Sequence, residues 1–326
     1  MIGYVINLDK DTDRLERFKH QKAKLSVQFE RIPAVYGKEL SKKEIEKHTT
    51  RFCANFCTPA MIGCAASHLK SWETFLKTSH KRAIICEDDV VFADEVDTKL
   101  HDALEQVPTD FDLLFAGCLQ CDSSEQKASL LSKMLQLMFP GLGNATSTFV
   151  GENVYVPRVA LGLHCYVLSR KGASKLVSLF AQNINYHVDF QINQSFNSLG
   201  VYAIHPAIAH QPLASEVSNT VDAFPRLANT LVRNVDQGGH SGSYIMSVPF
   251  GQIGGSVVNM WLITLCLMAT SLGLIRNTLL SVTILAALLQ LVVLPDAVCK
   301  NMNGNWHFPL TMVLCFMFAR RCFKCS

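Results

Sequence analysis

The segment Arg82-Ala83-Ile84-Ile85-Cys86-Glu87-Asp88-Asp89-Val90 decides the fold. Its apolar run predicts a strand over Arg82 to Cys86 covered on both faces, as in the interior of an α/β sheet. Three carboxylic acids follow without a spacer. Strand ends in an open α/β sheet are where ligands bind, and adjacent carboxylates there repel one another unless a cation or hydrogen-bond donors compensate. In a strand-to-loop turn Glu87 and Asp89 point the same way. That suits one acid for a ribose hydroxyl and one for a Mg²⁺ or Mn²⁺ ion that also holds a diphosphate. An acidic cap on the following helix is the plainer reading of the same triplet.

Outward from this segment, short apolar runs alternate with amphipathic ones, the signature of a sheet with crossover helices. Strands are expected over Gly3 to Leu8, Val27 to Ile32, Asp112 to Ala116 and Leu161 to Leu168. Helices are expected over Asp11 to Leu25, Lys42 to His48, Pro59 to Thr78, Glu95 to Gln106 and Lys171 to Gln182, with a short one over Phe190 to Asn197. The pattern predicts an α/β fold: an open, mostly parallel sheet with helices on both faces. Residues 121–156 interrupt the rhythm with a Ser-rich start and a Pro140-Gly141-Leu142-Gly143-Asn144 turn, as an insertion or flap would.

Composition divides the chain. It has 326 residues, 49% hydrophobic but only 17% charged, against about 25% charge in an ordinary soluble domain. The apolar excess lies after Pro249: Val257 to Ile275 and Thr278 to Leu294 carry no charge, and Phe308 to Ala319 is a third apolar stretch. These suggest residues 1–225 as the globular domain, 226–255 as linker and 256–326 as a membrane anchor. Two C-terminal transmembrane helices are expected, at 257–275 and 278–295, with an apolar segment 306–319 in the interface. Arg320, Arg321 and Lys324 then return to the cytosol by the positive-inside rule. No signal-peptide pattern opens the sequence, so the catalytic domain is expected on the cytosolic side. With the tail set aside the chain is nearly neutral, which argues against nucleic acid as a partner.

Twelve Cys are scattered, several inside apolar runs, and read as reduced thiols rather than a disulfide framework. Cys118 with Cys121, and Cys322 with Cys325, have metal-site spacing but no second pair nearby. Cys322 and Cys325 beside a membrane segment also suit palmitoylation. Asn144-Ala-Thr and Asn193-Gln-Ser match the glycosylation sequon at near-chance frequency.

Several motifs occur in order: Tyr4-Val5-Ile6-Asn7-Leu8-Asp9 with Arg14, Gly63-Cys64-Ala65-Ala66-Ser67-His68 with Trp72, and the Glu87-Asp88-Asp89 segment. Gly162-Leu163-His164-Cys165-Tyr166-Val167-Leu168-Ser169, His187-Val188-Asp189, and His205-Pro206 running to Gln211 with Ser215 follow. As an ordered set over about residues 2 to 220 they resemble glycosyltransferase family 25, which includes bacterial lipooligosaccharide galactosyltransferases and procollagen galactosyltransferases. The resemblance implies a GT-A-like fold, a nucleotide-sugar donor such as UDP-galactose, and inversion at the anomeric carbon. It implies that Asn7, Leu8, Asp9 and Arg14 line the nucleotide pocket, and that Glu87, Asp88 and Asp89 hold ribose, metal and diphosphate.

Inverting transfer is a single displacement, so one carboxylate must take the acceptor hydroxyl's proton. Asp189 is the candidate base, with capping of its own helix as the alternative role. Ser67, His68 and Gln211 are candidate donor contacts, Trp72 a core residue, and His210 a further metal-ligand candidate. Pro33-Ala34 stands where the family has Asp-Ala, and His187 where it has Pro. The reading is a membrane-anchored hexosyltransferase acting on a glycan or glycolipid acceptor. A catalytically inactive nucleotide-sugar-binding membrane protein and a metal-dependent nucleotidyl-transfer enzyme are the competing classes. A Gly-Lys-Ser/Thr phosphate loop, which the latter would favour, does not occur.

Overall fold

The computed structural model describes residues 1–119, 121, 133, 136–137, 139–211, 248–253, 256–298 and 307–323. The N-terminal apolar run forms β1 (Ile2–Asn7), buried along its whole length. Helix α1 (Thr12–Lys22) and strand β2 (Phe29–Pro33) follow, then helices α2 (Lys42–His48), α3 (Arg51–Phe56) and α4 (Pro59–Leu76). Ser41 starts α2 with a reciprocal cap: its hydroxyl accepts from the Glu44 N–H, and the Glu44 carboxylate accepts from the Ser41 N–H. Next come β3 (Arg82–Glu87), β4 (Val91–Phe92), α5 (Val96–Gln106), β5 (Leu113–Leu119), β6 (Thr148–Phe149) and β7 (Val154–Val156). β8 (Leu161–Ser169), α6 (Arg170–Phe180), α7 (Val188–Gln194), β9 (Val201–Ile204) and β10 (Ala209–His210) complete the first unit.

Eight strands make one sheet in the order β2-β1-β3-β8-β5-β9-β7-β6. β1 pairs in parallel with β2 and β3, and β5 with β9, whereas β8 runs antiparallel to both β3 and β5, and β7 to both β9 and β6. The sheet is therefore mixed, not mostly parallel. Period and apolarity do not encode direction: a strand buried on both faces reads the same either way. β8 has a consequence for the site. Cys165 lies opposite Cys86, so β8 begins at the edge where β3 ends.

Helices cover both faces, as expected. On one, Phe18 of α1 and Val96, Leu100 and Ala103 of α5 pack with Val5, Ile84, Cys86, Leu114 and Val167. On the other, reached by the alternate strand residues, α4 lays Trp72 against Tyr166, the indole N–H donating to the phenol oxygen at 2.7 Å. α4 comes close to the loop after β2 because Gly63 carries no side chain, a Cβ there falling 2.6 Å from the Val35 carbonyl oxygen.

A second compact unit comprises residues 55–58 and 213–326. Its described part holds a hairpin, β11 (Gly251–Ile253) with β12 (Ser256–Val258), and three helices, α8 (Met260–Leu274), α9 (Thr278–Val298) and α10 (His307–Phe323). Trp261, Leu265 and Ala269 of α8, Leu285 and Val292 of α9, and Phe308, Met312 and Phe316 of α10 form its core. Gly273 permits the crossing of α8 and α10, since a Cβ there would sit 2.7 Å from that of Ala319.

The expectation of two membrane spans finds no support here. Among the described residues no helix is long and apolar enough to cross a membrane. The 257–275 stretch is divided between β12 and a helix of 15 residues, 278–295 lies within α9, and 306–319 is largely α10. Part of the apolar excess is used in helix-to-helix packing, as at Leu265, Met312 and Phe316, while Leu267, Leu279, Leu314 and Phe318 are exposed. Most of the 226–255 linker, the Ser-rich part of the insertion, and Ser215 and Cys325 fall outside the described residues.

Candidate active site

β1 and β3 are parallel neighbours with Ile6 opposite Glu87, so their carboxyl ends bring Asn7 and the acidic triplet together. Asn7 is buried and acts as a bracket: its amide donates to Asp88 Oδ2 at 2.6 Å and to the Asp11 carbonyl at 2.9 Å. Its own Oδ1 accepts from Arg31 Nε at 2.9 Å. Arg14, one turn into α1, reaches the same point. Its Nη2 lies 2.7 Å from Asp88 Oδ1 and 2.6 Å from Asp89 Oδ2, and Gln211 donates to Asp89 Oδ2 at 3.0 Å.

Two buried atoms in this cluster have no partner: Arg14 Nε and Asp89 Oδ1. Unpaired buried polar atoms are rare and costly, and they mark places where a ligand or ion completes the set.

Charge at the site is unbalanced. Burial pushes the Asp89 carboxyl up to about 7, with Glu87 adding to the rise and Arg14 and Gln211 opposing it. Burial likewise raises Asp88 to about 6 against the pull of Arg14 and Asn7. Burial works against the Arg14 charge too, yet Asp89, Asp88 and Glu87 together hold it above its ordinary range. Glu87 goes the other way: its burial is outweighed by His68, which holds the carboxyl below its usual range.

A buried polar chain explains this. Trp72 donates into the Tyr166 oxygen, whose hydroxyl lies 3.0 Å from His68 Nδ1, and His68 Nε2 lies 3.4 Å from Glu87 Oε1. Because the indole is a donor only, the phenol proton can go to His68 Nδ1. His68 then carries its proton on Nε2, toward Glu87.

β8 supplies the opposite wall. Gly162 adopts φ +77, a conformation that favours glycine, and its N–H donates to Asp189 Oδ2 at 2.9 Å, while Asp189 Oδ1 accepts from the Phe190 N–H at 2.8 Å. Asp189 thus takes part in the start of α7 and also leans on the strand that borders the acidic turn. Asp189, Glu87 and Asp89 all act electrostatically on the Cys64 thiol, which burial above all pushes well up. One local environment therefore joins α4, the β3 end and the start of α7.

Four predicted residues stand apart from this core of the site. Ser67 is buried, with its hydroxyl accepting from the Val35 N–H at 2.8 Å and donating to the Gly63 carbonyl at 2.6 Å. It holds the loop after β2 and has no proton left for a donor. Asp9 is exposed and paired with Arg31, and Leu8 contributes the carbonyl that accepts the Asp11 N–H at 3.0 Å. His210 is exposed on β10, paired with Val91 of β4. Trp72 is fully buried as expected, and its donor role comes with that burial.

Cys64 and Tyr166 are the residues sequence reasoning passed over. Cys64 sits four positions before His68 on α4, a spacing that puts both on one helical face, and that signal was available. The reach of Tyr166 across the sheet face had no signal in the sequence. The thiols are also only partly reduced: Cys53, Cys57, Cys118 and Cys121 are disulfide-bonded, the last two with each other, whereas Cys64, Cys86, Cys165, Cys266, Cys315 and Cys322 are free.

Residues 1–192 match the family described as glycosyltransferase family 25 (LPS biosynthesis protein). The chain belongs to glycosyltransferase family 25. Curated relatives of this family 25 chain include procollagen galactosyltransferase 1-A of Xenopus laevis, 27% identical over 189 residues, which are 54% of this chain and 28% of that protein. A glycosyltransferase 25 family member of Anopheles gambiae is 31% identical over 97 residues, 27% of this chain and 16% of that one. Human procollagen galactosyltransferase 2 is 24% identical over 185 residues, 53% and 27% of the two chains. The family 25 chain thus spans under a third of the length of these relatives. Among solved structures, the galactosyltransferase LgtC with donor and acceptor sugar analogs aligns at TM-score 0.35 and 14% identity, over 62% of this chain and 73% of that one. That likeness is too loose to transfer any residue's role.

Proposed function

We propose that this family 25 chain transfers a hexose, galactose in the first instance, from a UDP-sugar to a hydroxyl of a glycan or glycolipid acceptor, with inversion. The observation that carries the proposal is the convergence of Asp88 and Asp89 on one guanidinium beside Glu87, with Arg14 Nε and Asp89 Oδ1 left buried without a hydrogen-bond partner. An anionic, hydroxyl-rich donor fits that set: Arg14 Nε can donate to a diphosphate oxygen, and Glu87 can accept from a ribose hydroxyl. That two of the relatives are procollagen galactosyltransferases supports the choice of sugar.

The residues also fit a divalent cation. Glu87 and Asp89 would hold Mg²⁺ or Mn²⁺ through oxygen atoms, as hard cations require, and Asp89 Oδ1 has no other partner. When bound, such an ion supplies charge that the leaving diphosphate needs. The chain's own part in the step is proton transfer and positioning. Asp189 takes the acceptor proton as the acceptor oxygen bonds to the anomeric carbon, and the electron pair of the breaking bond leaves on the diphosphate. Asn7 and Arg14 hold the acidic turn in place by the contacts given above.

The test is incubation of the protein with a panel of UDP-sugars, Mn²⁺ and candidate acceptors, read by mass spectrometry. Transfer from one donor, lost in Asp189→Asn with donor binding retained, is the expected result. Binding of UDP with Mn²⁺ but no transfer would make this a binding module, and no binding at all would end the proposal.

A further inference from the structure

Cys64 and His68 lie on one face of α4, and Glu87 ends β3 opposite them. The Cys64 Sγ, a His68 ring nitrogen and a Glu87 carboxylate oxygen all lie within 4.8 Å of one another. We propose that these three side chains form a site for a thiophilic divalent cation of the Zn²⁺ class. This goes beyond the transferase reading and differs in chemistry from the Glu87 and Asp89 oxygen pair.

Ligand type selects the ion. A thiolate and an imidazole suit Zn²⁺ or Co²⁺, whereas Mg²⁺ and Mn²⁺ prefer carboxylate, carbonyl and water. Three protein ligands also leave a fourth tetrahedral position open, as in zinc sites that act on a substrate or water. Access exists past two of the three ligands: His68 is 1% exposed, whereas the Glu87 side chain is 26% exposed and Cys64 is partly exposed.

The polar chain behind His68 allows this change without stranding a proton. A metal on Nε2 requires the ring proton on Nδ1 and an acceptor for it, the usual outer-shell partner of a metal-bound His. Tyr166 Oη lies there at 3.0 Å. The phenol's own proton can turn to the Ser71 hydroxyl, which also hydrogen-bonds Tyr166 and donates to the His68 carbonyl at 2.7 Å. At His68 the rearrangement is a change of tautomer. Cys64 becomes a thiolate, so each ion bound forms one sulfur–metal bond and releases one proton.

Full-length protein stripped with a chelator and titrated with Co²⁺ tests the site. The expected result is a near-ultraviolet thiolate-to-cobalt charge-transfer band, absent in Cys64→Ser, kept in Cys322→Ser, and erased by Zn²⁺ but not by equal Mn²⁺. Glu87→Gln, which keeps the thiol, should retain the band and weaken Co²⁺ binding about 10-fold or more. No Co²⁺ uptake, a band that persists in Cys64→Ser, or unchanged affinity in Glu87→Gln would overturn the proposal. No sugar donor enters these measurements, so the site and the transferase reading stand or fall separately.

Discussion

Arg14 and Arg320 both sit at the ends of secondary-structure elements, and their surroundings differ. Arg14 faces two buried carboxylates and leaves its Nε unpaired. Arg320 donates to the Ser281 hydroxyl at 2.7 Å and to the Ile275 carbonyl at 3.4 Å, bonds the Thr278 hydroxyl as well, and lies 5.5 Å from the Phe316 ring centre. In the helical unit a charge is absorbed by neutral oxygens at helix ends. At the strand ends charges of one sign are crowded together. Among the described residues every buried side-chain nitrogen or oxygen without a hydrogen-bond partner, Tyr4 Oη, Arg14 Nε, Asp89 Oδ1, Asp112 Oδ1 and His164 Nδ1, belongs to the first unit. Polarity left unsatisfied at the strand ends marks a site that awaits a ligand, whereas the described polar groups of the helical unit are satisfied within it.

The sharpest break of that contrast is chemical. Asp189→Asn should lower transfer by about 10²–10⁴-fold, the usual contribution of a positioned base, while leaving donor affinity unchanged in a calorimetric titration. Unchanged turnover would remove Asp189 from the mechanism and leave it as part of the α7 start. Next in size is a change in the helical core. Met312 is fully buried there, so Met312→Ala should cost that unit about 2–5 kcal/mol in denaturant unfolding. Transfer per folded molecule should stay the same, and a loss of transfer at full folding would contradict the separation of roles.

Asp89 reverses the sign of the usual mutation. Its carboxyl titrates near 7 in the folded protein against 3.8 ordinarily, so the folded state binds a proton that the unfolded chain releases at lower pH. The folded state is therefore favoured as pH falls from about 8 toward 5, and that advantage is lost as pH rises through the folded value. Asp89→Asn removes the ionised form. It should stabilise the protein at pH 8 by about 1–2 kcal/mol while abolishing metal-supported transfer, the common trade between stability and function. Thermal unfolding with and without Mn²⁺ across this range checks the sign. A stability gain from Mn²⁺ that is larger at pH 5 than at pH 8 would contradict it.

How far these features could be read from sequence follows from what each depends on. β1, β3 and α4 were legible because burial on both faces or along one helical stripe leaves a local pattern, and Glu87, Asp88 and Asp89 because they interrupt such a pattern. The direction of β8 was not, since Cys165 and Tyr166 look alike in a parallel or an antiparallel strand. The short strands Thr148–Phe149 and Val154–Val156 carry too few residues to show a period. Ser67 was read as a ligand contact because a hydroxyl in a motif does not reveal that two backbone groups already use it. The tail is ambiguous for a related reason: an apolar helix facing lipid and one facing other helices have the same composition. Leu265 and Phe316 meet in a protein core, and only the packing tells the two apart.

The smallest expected effect isolates how the helical unit satisfies its polar groups. Asn259 is buried and precedes α8, and its side-chain oxygen accepts the Leu262 N–H at 3.0 Å. If that bond is the residue's role, Asn259→Ala should cost about 1 kcal/mol, and Asn259→Ser, which can cap equally, close to nothing. Equal losses in the two variants would mean that Asn259 acts through its volume rather than its oxygen. Neither change should move the pH dependence set by Asp88 and Asp89, because a neutral cap adds no charge to the strand-end cluster. A shift of that profile in Asn259→Ala would show that the helical unit takes part in the electrostatics of the site, and the contrast between Arg14 and Arg320 would then be one of degree.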